Sequence, residues 1–300
     1  MEQLSLTGFW LALAATSAAC VFYWAEAIGG SLSVRRLAGQ PTGGLTVVSW
    51  ERLSGSLGLF GTVAAGTAAG FLGLSLLARW LATDHAPWAN MWEFTVAFAG
   101  GVTVTGLVFE RWYGQRSLGA FLQPFSLAML ATAAAFFPSA AQPLVPALQS
   151  GGILAAHVGI MILSYASLSV SFVAAAMYIA QGGRRHRFPR LPAAALLDEI
   201  AYKSVIIGFP LLALGIALGA YWGNSAWGRY WGWDPKETSA LVTWLIYGVY
   251  LHMRALRSWA GMRSAVVLVG GYAAVLFTYF AVNLWVAGLI ATPGSERPDL

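Results

Sequence analysis

The sequence predicts an all-α polytopic membrane protein, a bundle of about eight transmembrane helices with both termini extracytoplasmic. Composition is the first observation behind this prediction: 58% of the 300 residues are hydrophobic, 10% are charged, and the mean hydropathy is +0.66. Soluble domains carry about 25% charged residues, so this chain lacks the side chains to cover itself with a solvated surface. Length is the second. Apolar stretches at 6–26, 56–78, 91–110, 117–137, 153–180, 204–221, 238–254 and 265–289 match the roughly 20 residues needed to cross a hydrocarbon core. In lipid such a segment satisfies its own backbone hydrogen bonds only as a helix. Charge bias is the third. Arg35, Arg36, Arg52, Arg111, Arg116, Arg184, Arg185, Arg187, Arg190, Lys203, Arg254, Arg257 and Arg263 fall on one side of the alternating connections, and Arg79, Arg229, Lys236 and Arg297 on the other. The basic side is cytoplasmic by the positive-inside rule. The net charge of +5 is therefore a topology signal rather than a nucleic-acid surface.

The elements follow in order. The first span begins after Met1-Glu2-Gln3 without a basic residue, unlike a signal peptide with its positive n-region, so it is expected to be retained. Cys20 sits mid-span as a small apolar side chain; with no CxxC motif and no second cysteine, thiol redox chemistry within the chain is not expected. Connection 27–55 is Gly-rich and has room for a short surface helix. Gly66 with Gly70, and Gly215 with Gly219, have the spacing of close helix contacts. Connection 138–152 is uncharged and broken by Pro138, Pro143 and Pro146. Before the sixth span, LPAAALLDEIAYK has helical spacing with Asp198, Glu199 and Lys203 on polar positions, which predicts an amphipathic lead-in. No repeat of fixed period is visible, and residues 1–300 read as one integral-membrane domain.

Few residues can do chemistry. His186 lies in the basic run RRHRFPR, a solvated loop, and His85 in the outer connection TDHAPWANMWEF. His157 is about 6 Å inside the outer end of the fifth span, and His252 roughly 22 Å down the seventh, near its cytoplasmic end. An ionisable residue in the membrane is costly unless it faces a cavity or partner; a hydrogen-bonded core histidine is the alternative for each. Imidazole is a common haem ligand, whereas a closed zinc site wants four ligands close together. Segment 221–237, YWGNSAWGRYWGWDPKE, places Trp222, Trp227, Trp231 and Trp233 among Tyr221, Tyr230 and several glycines. An interfacial aromatic belt accounts for one or two such residues per helix end. Flat aromatic faces with glycines that admit close approach suit a large planar ligand. Arg229 and Lys236 are placed to meet propionates, and Asp234 and Glu237 to anchor the loop by charge-assisted bonds.

WGRYWGWDPKE followed by TSALVTWLIYGVYLH resembles the tryptophan-rich WWD signature of the CcsA/ResC branch (also called CcsB) of haem-handling cytochrome c biogenesis proteins. The resemblance runs from about Leu196 through Gly288, with weaker matches at HVGIMILSYA and HAPWANMWEF; WDPKE distinguishes this branch from CcmC and CcmF. It implies a haem-handling core at 153–290 containing the Trp-rich loop 221–237. It further implies export of non-covalent haem b and its presentation outside the membrane, bacterial plasma membrane or thylakoid-type, to an apocytochrome c with a CxxCH motif in System II maturation. By resemblance His252 belongs to an inner haem site completed by a ResB-type partner, and His157 is the first of two outer haem-iron ligands. Whether the chain is itself part of a haem lyase (cytochrome c synthase) with that partner is left open.

One departure matters. The family pattern VNLxxxGLHSY ends in a second outer histidine, but this chain reads VNLWVAGLIATPGS, with Ile290 at that position. Isoleucine cannot ligate iron, which leaves a five-coordinate haem, a substitute ligand such as His85, a ligand from a partner or the incoming cytochrome, or reduced function; His85 is the substitute to test. Two rivals remain: a transporter for another amphipathic or aromatic solute, although neither inverted repeats nor broken midplane helices are visible, and a structural subunit of a respiratory membrane complex.

Overall fold

The structure, a computed structural model, describes residues 1–37, 44–141, 152–185, 187–188, 191–256, 259 and 261–281, with side chains except at 29–37, 44–54, 184 and 281. The described α-helices are α1 Glu2–Leu37, α2 Gly44–Thr83, α3 Met91–Tyr113, α4 Ser117–Phe136, α5 Gly152–Ala180, α6 Ala194–Trp227, α7 Pro235–Ala255 and α8 Met262–Ala281. Each expected span has its helix, although 282–289 of the last lies outside the described residues. So do Pro143, Pro146, His186, Arg190, Arg257, Ile290 and Arg297. Among the described residues, seven helices are long and apolar enough to cross a membrane. The exception is α7, whose 21 residues suffice in length but whose threonines, tyrosines, His252 and Arg254 dilute its apolarity. The polar lead-in to the sixth span forms as the first turns of α6. The surface helix expected in 27–55 does not stand apart, because α1 continues to Leu37 and α2 has begun by Gly44.

Packing centres on α5, whose buried face includes Tyr165, Leu168, Ser169 and Val173. Along α6 it forms a ladder: Ser164 Oγ donates to Gly208 O at 2.8 Å and Ser167 Oγ to Ser204 O at 2.9 Å. Against α8, Ser169 and Tyr272 hydroxyls meet at 2.7 Å. Tyr279 of α8 reaches Thr95 in the first turns of α3, and Phe98 of α3 packs on Tyr165. These contacts set the starts of α3 and α5 and the C-terminal end of α8 at one end of the bundle, with the α6–α7 corner.

That end is tied by a buried ion-pair knot. Arg79, 0% exposed, lies 3.4 Å from Glu2, 3.6 Å from Glu93 and 4.8 Å over the Trp92 ring. Its Nη2 donates to Ser139 O at 2.6 Å. Asn90 caps α3 by accepting from Glu93 N–H at 2.9 Å, while the Glu93 carboxylate accepts from Ala89 N–H at 2.8 Å. The opposite end carries its own polar ties: Tyr23 donates to Glu110 at 2.6 Å, Arg116 pairs with Glu26 at 3.7 Å, and Arg254 grips Asp198 through two bonds of 2.7 and 2.8 Å.

Removing one partner of a buried pair leaves the other charge uncompensated. Arg79→Ala is expected to destabilise the protein by about 3–5 kcal/mol, read as a lowered thermal unfolding midpoint in detergent. Glu2 is half-exposed, so Glu2→Gln is expected to cost under about 1 kcal/mol.

Candidate functional site

The site begins where α6 ends. No proline follows Pro210 until Pro235, so no backbone donor is lost and α6 stays helical through Trp227. It closes on Gly228, left-handed at φ 70°, whose N–H donates to Asn224 O at 2.9 Å. The expected loop 221–237 is therefore half helix: Tyr221, Trp222 and Trp227 ride on the last turns of α6, and only 228–234 is non-helical.

The chain restarts at Asp234, the N-cap of α7, which accepts from Glu237 N–H at 2.8 Å. Glu237 reaches back to accept from Gly232 N–H at 2.7 Å and Asp234 N–H at 3.4 Å. Pro235 takes the first helical position, where no donor is needed. This reciprocal capping box is the anchoring expected of the two acids. It holds Trp233 between its bonds in a left-handed conformation, φ 57°, which costs a non-glycine residue about 1–2 kcal/mol. The Trp233 indole stands 70% exposed, edge-on to Trp231 at 5.7 Å. Trp222 and Trp227 form a second edge-on pair at 4.7 Å. A Cβ at Gly232 would come within 2.6 Å of the Arg229 guanidinium carbon, so the glycine lets that side chain lie across the loop.

Both carboxylates of the corner are thus engaged in holding it together. Arg229 and Lys236 are exposed, with no ion pair among the described residues, as are Trp227 and Tyr230. The Trp222 indole N–H is buried without a hydrogen-bond partner. Donors and cations exceed available acceptors, a balance suited to a planar ligand with acidic groups.

His157, in the second turn of α5, faces α6 at this same end. Its Nδ1 is 2.7 Å from Gly215 O. A carbonyl oxygen only accepts, so Nδ1 carries the proton and Nε2 keeps the lone pair that a metal requires. The ring lies over Gly219, where a Cβ would come within 2.7 Å of its Cε1. Gly215 and Gly219 are the close contact expected of them. Gly66 and Gly70 are not: both are exposed on α2, and a Cβ on either would meet nothing within 4 Å. Only about 4.5 Å of helix rise separates Gly219 from Trp222.

The other histidines are placed differently. His85 lies in the α2–α3 turn at the same end, after left-handed Asp84, with Nδ1 3.1 Å from Ala86 O. His252 is exposed in the last turn of α7, at the far end. The structure therefore joins His157 to the Trp-rich corner and keeps His252 apart from both. Sequence reasoning treated Gly219 as a packing device and missed that it seats His157; their sequence separation hides the contact. It also missed the Arg79–Glu93 knot, although Asn90-x-x-Glu93 before an apolar run is a readable cap signature.

Residues 88–290 match the family model described as Cytochrome C assembly protein. The chain is 34% identical over 294 residues to the cytochrome c biogenesis protein CcsA of Synechococcus elongatus, covering 81% of this chain and 90% of that protein. Against the cytochrome c biogenesis protein CcsA of Chlamydomonas reinhardtii it is 38% identical over 224 residues, 72% of this chain and 63% of that protein. Among solved structures, the cytochrome c heme lyase CcmF is similar in fold, with a TM-score of 0.61 at 20% identity over 93% of this chain and 46% of that chain. With the family model spanning most of its length and relatives this similar over most of theirs, the chain belongs to the cytochrome c assembly protein family.

Proposed function

We propose that the chain binds haem b non-covalently at its Trp-rich corner and presents it there, on the extracytoplasmic side of the membrane, to an apocytochrome c bearing CxxCH. The observation that carries this reading is the juxtaposition of His157, whose Nδ1 is hydrogen-bonded to Gly215 O, with Trp222 and Trp227 on the last turns of α6 and exposed Arg229 and Lys236 just beyond them. His157 Nε2 would hold the haem iron. Trp222, Trp227, Tyr230, Trp231 and Trp233 offer the flat apolar surface, and Arg229 and Lys236 meet the propionates. Asp234 and Glu237 hold the corner in shape. Haem, when bound, supplies the two vinyl groups that become thioethers with the cysteine thiols. The chain supplies orientation and proximity; none of these residues is placed as a general base. His252 serves an earlier, inner haem site shared with a ResB-type partner, and His85 provides the second outer ligand in place of the residue at position 290.

Purified protein is expected to show a Soret band, whereas a transporter of another solute would be colourless. His157→Ala should convert low-spin haem to a high-spin form. With a ResB-type partner and a CxxCH apocytochrome co-expressed, it should also lower covalent haem by at least about tenfold. Retention of the wild-type spectrum in His157→Ala would sink the ligand assignment. For His85 the same measurement on His85→Ala decides: an unchanged low-spin signal removes it. Asp234→Ala, losing a cap worth about 1 kcal/mol, is expected to weaken haem retention roughly fivefold while leaving the axial spectrum intact, as haem titration would show.

A further inference from the structure

We infer that Gly215 and Gly219 of α6 are positioning residues that decide which nitrogen of His157 faces its ligand and where that nitrogen sits. The inference rests on the reading of His157 as a haem ligand and adds a mechanism to it. Imidazole can ligate through either nitrogen, and the hydrogen bond made by one selects the other. Here Nδ1–H donates to Gly215 O at 2.7 Å, which in the neutral ring leaves the Nε2 lone pair to ligate. Gly219 sets the depth of the ring, since a Cβ there would come within 2.7 Å of Cε1. The ring cannot be relieved by sliding one helix along the other. Ser164 to Gly208 and Ser167 to Ser204 lock the same pair of helices in register further down. Because α6 also ends in Trp222 and Trp227, the ligand and half of the aromatic platform are referred to one helix.

The test uses purified full-length chain and haem spectroscopy. In Gly219→Ala the low-spin fraction should fall about tenfold at equal haem content, and added imidazole should restore it as it restores His157→Gly. Gly70→Ala, the same substitution on a glycine of α2 that faces open space, should leave the spectrum unchanged. A wild-type spectrum in Gly219→Ala overturns the inference, as does failure of imidazole to restore it while His157→Gly is restored. A second measurement needs no haem. Gly219→Ala should lower the unfolding midpoint in the wild-type background and leave it unchanged in His157→Ala, where the ring is gone; equal lowering in both also overturns the inference. Should wild-type protein show no haem signal, the reading of His157 as a ligand fails, and this double-mutant comparison still decides the contact.

Discussion

The hydrogen-bonded pairing of α5 with α6 is the interaction on which the rest of the arrangement depends. Lipid offers helices no hydrophobic reason to associate, so close approach and interhelical hydrogen bonds must do it. Three donors on α5, from His157, Ser164 and Ser167, reach carbonyls of Gly215, Gly208 and Ser204 on α6. Gly208 admits the side chain of Leu168, as Gly219 admits His157. Each contact is small, but together they define one register. That register puts the polar end of the ladder beside the end of α6, where the tryptophans begin.

The corner beyond α6 shows how the distribution of charge follows from local folding. Asp234 and Glu237 close the start of α7 on themselves and on Gly232, which engages both carboxylates in backbone hydrogen bonds. Arg229 and Lys236 remain. The same bonds hold Trp233 in a conformation that a tryptophan rarely adopts, and strain of this kind persists where surrounding contacts over-determine it. At the neighbouring end of α2, Arg79 performs a different task from the one its charge alone suggests. It is buried against the Trp92 ring and engaged with Glu2, Glu93 and Ser139, so it fastens the adjoining ends of helices.

Much of this was legible beforehand for identifiable reasons. Span length and apolar composition are properties of each segment by itself, and they locate every helix, although α1, α2 and α6 run about three turns past the expected spans at one end. α7 was read as an apolar stretch at 238–254 like the others, although its apolarity is diluted by residues that face neighbours, such as Thr243 and Tyr247. The capping role of Asp234 and Glu237 was legible because both residues lie within one turn of each other. The partner of His157 was not, because Gly215 is 58 residues away. Glycine spacing could not discriminate either: Gly66 with Gly70 reads like Gly215 with Gly219, and only the neighbours distinguish a lipid-facing pair from a seat for a side chain.

By itself, then, the sequence determined the helical membrane class, the order of helices, the Trp-rich corner with its anchoring acids, and the depth of His157 and His252 along their helices. All of these depend on residues near one another in the chain or on composition summed over a span. The tertiary structure alone decided that α6 carries half of the aromatic platform, that Gly219 and the Gly215 carbonyl hold the His157 ring, and that Arg79 is buried. Those outcomes depend on which faces of distant helices meet, and no local periodicity encodes that choice.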